Sequence, residues 1–206
     1  PMAGPPTFPP AWEEALQARD AVRVARLMRD ACGVLPRDGN GFTPLHRVPA
    51  LEAGRDEAPV FQALLDGGAD IHAVGAFGIT PLHSAAAAGC VPCVRALLRA
   101  GASPLVRRDD GGTPLHRAAA AVQPLLLASG ADVGARDAEG RTPLHTARDL
   151  THALLAAGLN TPDDHGLTPL HHAALSGDEA RVRWLLEQGA DPAARSTRPY
   201  LHKEGI

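Results

Sequence analysis

Ten histidines and three cysteines are the residues of this 206-residue chain whose types could do chemistry. Cys90-x-x-Cys93 has the spacing of a redox pair or of half a zinc site. His165, His171 and His172, with Asp163 and Asp164, could be drawn as a metal cluster. Neither pattern is complete. Zinc needs two further ligands at short spacing, and a redox pair needs a thioredoxin-like strand–helix setting. Cys32, Cys90 and Cys93 do not make a disulfide framework. There is no Gly-x-Ser-x-Gly, no His-Glu-x-x-His, no phosphate-cradling glycine loop and no calcium loop. The expectation is a protein with no catalytic residues, no cofactor and no metal.

Five of the histidines belong to one motif. Thr43-Pro44-Leu45-His46, Thr80-Pro81-Leu82-His83, Thr113-Pro114-Leu115-His116, Thr142-Pro143-Leu144-His145 and Thr168-Pro169-Leu170-His171 repeat it, their threonines 37, 33, 29 and 26 residues apart. The motif predicts a helix start. Thr can cap the first turn with its hydroxyl, and Pro is suited to the first helical position, where its missing N–H costs nothing. Leu makes the first core contact. Alanine pairs (Ala85-Ala86, Ala118-Ala119, Ala173-Ala174) keep the helix narrow enough for the next unit to pack close. A second helix ends in paired leucines: Leu64-Leu65, Leu97-Leu98, Leu125-Leu126, Leu154-Leu155 and Leu185-Leu186. A glycine follows (Gly68, Gly101, Gly130, Gly189), as a left-handed helix C-cap requires.

In this pattern, T-P-L-H-x-A at a period near 33, the chain resembles the ankyrin-repeat family from about residue 11 to about residue 195. The resemblance implies an all-α solenoid of helix–turn–helix units with β-hairpin loops. It also makes the motif histidines structural, bonded to their own Thr and across the loop. Cys93 then falls at a small apolar core position.

The boundaries follow from the repeats. Residues 1–10 are Pro-rich and expected to be extended or disordered. Residues 11–206 form one repeat domain: an N-terminal cap over 11–42, repeats over 43–79, 80–112, 113–141, 142–167 and 168–195, and a C-terminal stub over 196–206. In the cap, helices are expected from Trp12 to Ala18 and from Asp20 to Cys32. The unit from Thr43 carries extra residues over 49–57, an enlarged turn between its helices. The units from Thr113 and Thr142 are short: 17 residues to Gly130 and 16 to Gly158, against 21 from Thr80 to Gly101. Their first helices are expected to run only four to six residues, part of them 3₁₀, and to make these units the weakest of the stack.

A net charge of −3 argues against general nucleic-acid binding. No apolar run reaches the 18 residues of a membrane span, and no charged-then-apolar leader is visible at the start. The expected setting is cytoplasmic, and the free protein is expected to be monomeric.

The family resemblance implies a partner protein held on the concave face, built from hairpin fingertips and the exposed side of the first helices. The residues mapped to it are Asn40, Phe42, Arg47, Phe77, Ile79, Asp109, Asp110, Arg117, Glu139, Arg141, His165, Leu167 and Leu175, with Arg148 on the same side. The surface is apolar at its N-terminal half and charged beyond it. Phe77, an aromatic at a fingertip with no core to fill, is the expected anchor. A scaffold or adaptor is the first expectation. The alternatives are an inhibitor or immunity-type protein that occludes an enzyme, and a secreted effector that binds a host protein.

Overall fold

A computed structural model of the chain describes residues 8–31, 34–147 and 149–196. Two helices per unit stack in register. The first layer holds α1 (Pro10–Gln17), α3 (Pro44–Glu52), α5 (Pro81–Ala88), a 3₁₀ turn Pro114–Arg117, α8 (Pro143–Thr146) and α9 (Pro169–Leu175). The second holds α2 (Ala21–Asp30), α4 (Pro59–Asp66), α6 (Val91–Arg99), α7 (Gln123–Ala128), a 3₁₀ segment His152–Ala157 and α10 (Glu179–Glu187). In the first layer α3 meets α5, α5 meets Pro114–Arg117, and α8 meets both that turn and α9.

The core is a stripe along the stack. The motif leucines Leu45, Leu82, Leu115 and Leu144 are buried on one side of it, and Leu64, Leu97, Leu126, Leu154 and Leu185 on the other. Each of the latter stands four residues before a glycine of positive φ, for example Leu126 before Gly130 at φ 92°. That glycine lets the following N–H turn back onto the leucine carbonyl, as Ala131 N donates to Leu126 O at 3.0 Å. One member of each leucine pair therefore carries the core, and the other (Leu65, Leu98, Leu125, Leu155, Leu186) lies nearer solvent.

The described elements depart from the expected ones in detail. The Pro-rich stretch does not stay apart up to residue 10. Phe8 is buried, the Arg47 guanidinium lies 5.1 Å from its ring centre, and Pro10 already begins α1. Residues 1–7, like the stub beyond Ser196 and Cys32, lie outside the described residues. Second, no β-strand occurs among the described residues. Each hairpin loop is a tight turn closed by one bond across four residues, as in Asp137 N to Arg141 O at 3.0 Å, too short to build a ladder. Third, Cys90 and Cys93 are fully buried, Cys93 at the core position expected of it, yet they are joined as a disulfide. Cys90 is the N-cap residue of α6 and accepts from Cys93 N. A cap and the third helical residue lie side by side, here with Cα atoms 5.3 Å apart, which is also disulfide spacing. In the cap, α2 ends at Asp30, with Asp20 outside it as the N-cap residue, accepting from Arg23 N at 2.9 Å.

The short units keep their fold by substituting side chains for the missing turn. Their first helices last one turn, and at Ala118 and Ala147 the chain becomes extended. Gln123, fully buried, donates to Ala118 O at 3.0 Å and Asp149 O at 2.7 Å, and accepts from the Thr151 hydroxyl at 2.6 Å. Arg181 reaches back from α10 to Leu144 O at 2.8 Å and Ala147 O at 2.9 Å. The Ala118, Leu144 and Ala147 carbonyls would otherwise end a helix unpaired. In the long unit a buried Glu52 plays the matching part, accepting from Val60 N and Phe61 N at the start of α4. Gln123→Ala is expected to cost about 2–3 kcal/mol, since it strands the buried Ala118 carbonyl and removes the part-buried bonds to the Asp149 carbonyl and the Thr151 hydroxyl. Chemical denaturation of the variant checks it, and a loss below about 0.5 kcal/mol would contradict this role.

Candidate partner-binding face

The fingers are positioned by the motif histidines. In each unit the Thr hydroxyl accepts from the His backbone N–H, and the His Nδ1 accepts from the Thr backbone N–H, at 3.0 to 3.3 Å. The other ring nitrogen donates to a carbonyl of the next finger: His46 to Ile79 at 3.1 Å, His83 to Gly112 at 3.2 Å, His116 to Arg141 at 3.0 Å and His145 to Leu167 at 3.2 Å. A carbonyl can only accept, so the proton sits on Nε2 and the ring is neutral. Burial pushes His83 and His145 down to about 4, and moves His46 and His116 in the same direction. Adjacent fingers are also joined tip to tip: Ala76 N to Asn40 O, Asp109 N to Phe77 O, Ala138 N to Asp110 O and Asp164 N to Glu139 O, at 2.8 to 3.1 Å.

Within this frame the expected site residues divide. Phe77 is three-quarters exposed at its tip, and Asn40, Asp109, Arg117, Glu139 and Leu175 are exposed as well. Ile79, Asp110, Arg141, His165 and Leu167 are half-buried. Ile79 and Arg117 line one small cavity; Arg117 and Arg141 line its larger neighbour. Glu139 pairs with Arg141 at 2.9 Å. Arg47 is turned away from this group, pairing with Glu13 at 3.1 Å. Phe42 folds back: its ring lies 5.3 Å from that of His46 and packs so closely on Gly75 that a β-carbon there would collide with it. Leu175 lies at the far end of α9, and Arg148 outside the described residues.

His165 and the two neighbouring histidines are not drawn together as metal ligands. His171 is engaged by Thr168 at 2.8 Å and His172 pairs with Asp163 at 2.8 Å. No group of three or more His, Cys, Asp or Glu residues with metal-holding geometry occurs among the described residues.

Phe77 differs from its counterparts in backbone as well. Its φ of 60° and ψ of 25° place it in the left-handed region, and only one other described non-glycine residue, Arg19, has positive φ. Asn40, Asp110, Glu139 and His165, at the same place in their turns, do not share it. An L-residue with a large ring is held there at a cost of about 1–2 kcal/mol.

Arg108 is the residue that motif reading passes over. Asp38, Asp137 and Asp163 open their turns with carboxylates that accept backbone N–H groups. Arg108 occupies the equivalent position in its loop. Its side chain is 11% exposed, its guanidinium pairs with Asp110 at 2.6 Å, and its buried Nε has no hydrogen-bond partner among the described residues. The break in the Asp register was the available signal.

A family model described as ankyrin repeats (3 copies) matches residues 50–137 and 119–196. A Neisseria meningitidis serogroup B protein named for ankyrin repeats is 43% identical over 42 residues, 20% of this chain. The chain spans 17% of that relative's length. No helix among the described residues is long and apolar enough to cross a membrane.

Proposed function

We propose that this chain, which belongs to the ankyrin-repeat family, is a non-catalytic scaffold or adaptor that holds a partner protein on the fingertip face. Ankyrin repeats are in general protein–protein interaction modules. The observation that carries the reading to this face is Phe77. A large aromatic ring stands in water, on a backbone conformation unfavourable to it, where glycine or asparagine would fit without strain. Such a residue makes the free protein less stable and is explained by what it does when covered. Ile79 and the half-buried Phe42 supply an apolar border beside it.

Affinity capture from the native cell extract, with Phe77→Asp beside the wild type, tests this. A partner held by the wild type and lost by the variant is expected. One held equally by both would move the site elsewhere, and loss of a captured enzyme's activity would mark the inhibitor variant of the reading. Phe77→Gly is expected to lose the same partner while raising stability by about 1 kcal/mol, through relief of the left-handed strain. A fall in melting temperature for that variant would show that the ring serves the fold.

A further inference from the structure

Two adjoining cavities open on the first-helix side of the middle units. The larger, about 370 Å³, is lined by Ala87, Arg108, His116, Arg117, Asp137, Arg141 and Thr146. The smaller, about 190 Å³, shares Ala87, Arg108 and Arg117 and adds Ile79 and Pro114. The deletions account for the opening. In the unit from Thr80 a second helical turn carries Ala87 over this side. The next two units have no such turn, because their chains leave at Ala118 and Ala147.

The charges in the larger cavity are unevenly matched. Arg141 is held by Asp137 and Glu139, and Arg108 by Asp110. Among the described residues Arg117 has no ion-pair partner, and its side chain is exposed. Arg108 is fixed against Gly112, where a β-carbon would stand 2.8 Å from its Nη2, and keeps an unpartnered buried Nε. The three carboxylates balance the three arginines in number, but two of them are spent on Arg141, so among the described residues Arg117 stands without a carboxylate beside a rigid, partly desolvated Arg108. Arg forks match a planar carboxylate by two parallel N–H···O bonds. The neighbouring cavity, bordered by Ile79 and Pro114, is suited to a small apolar group.

We propose that Arg117 and Arg108 form an acidic-residue subsite, which receives a Glu or Asp carboxylate of a partner protein, with an adjacent apolar residue of the same partner beside Ile79. This rests on the protein-binding reading and extends it from the Phe77 fingertip to the floor of the middle units. It assigns a use to the two shortened repeats.

The test is an NMR titration of ¹⁵N-labelled protein with acetyl-tetraglutamate amide, following the arginine Nε–H signals and the Gly112 and Thr146 amides. Saturable shifts confined to these groups are expected, weakened at least tenfold in Arg117→Glu and in Arg117→Ala, and unchanged in Arg95→Glu on the second-helix side. Acetyl-tetralysine amide should give none. Shifts that persist in both Arg117 variants, or that fall equally in Arg95→Glu, would overturn the subsite. So would saturation by inorganic phosphate at lower concentration than the peptide, which would make it a free-anion site. A partner captured through Phe77 yet held equally by Arg117→Glu would also overturn it and leave the fingertip reading intact. Peptide shifts lost in Arg117→Glu without any Phe77-dependent capture would support the subsite alone.

Discussion

Lowering the pH from 7 to 4 is expected to unfold this chain, most of the loss falling between pH 6.5 and 4. Four motif histidines are buried neutral, with Nε2 donating to a carbonyl and Nδ1 accepting from Thr. Protonating Nδ1 would place two donors, the ring and the Thr N–H, against each other, in a site that cannot hydrate the charge. In the unfolded chain the same rings titrate near 6.5; in the fold His83 and His145 titrate near 4. Between those values the unfolded state binds more protons, so stability falls as pH falls. A separation of about 2.5 units amounts to roughly 3 kcal/mol for each of these two residues. His46 and His116 shift in the same direction. The sum is comparable with the whole stability of a typical domain, about 5–15 kcal/mol. Asp137 and Asp163, held below the usual carboxylate range by backbone and side-chain donors, add their loss only at lower pH. Melting temperature followed by circular dichroism from pH 7.5 to 4 checks this; a flat profile down to pH 4.5 would refute it. His83→Gln should be less stable at pH 7 and show a shallower slope.

The motif made the histidine network legible because every participant is local or one period away. Thr, Pro and His fix a helix start within four residues, and the carbonyl they reach belongs to the next copy of the same pattern. The one-turn first helices over Pro114–Arg117 and Pro143–Thr146 were legible too, as a shortfall against the regular 21-residue span. What replaced the missing turns was not. Gln123 and Arg181 act through carbonyls 5 to 37 positions away in sequence, and no short-range pattern marks a side chain as a substitute for a helix. Phe77 could be placed at a fingertip by counting, but its left-handed backbone could not, since Phe is a poor resident of that region. Phe42, one residue before its motif as Ile79 is before the next, folded inward because Gly75 left it space. The Cys90–Cys93 bond arose from the coincidence of N-cap geometry with disulfide reach, in a chain whose three cysteines gave no framework to read.

Leu126→Ala and Leu154→Ala are each expected to cost about 2–5 kcal/mol, the range for a fully buried leucine. Both are 0% exposed, and both sit in units whose helices are too short to share the loss. A repeat contacts only its neighbours, so stability passes along the stack through each interface in turn. The segment His152–Ala157 is 3₁₀ and has fewer and poorer backbone bonds than a full helix. Opening it would separate the unit from Thr168 from everything before it. Arg181 resists that separation by tying α10 to Leu144 and Ala147, but its carbonyl partners lie in the same short unit. Leu154→Ala should therefore split a single denaturation transition into two, the first confined to residues beyond Thr142. Leu155→Ala serves as the internal control, because Leu155 is only half-buried and its loss should remain below about 1.5 kcal/mol. In the wild type, amides of residues 143–157 should exchange faster than those of α5 and α6. If the middle units are instead the best protected part of the chain, the side-chain substitutes at Gln123 and Arg181 more than offset the deleted turns, and the weak point of the solenoid lies elsewhere.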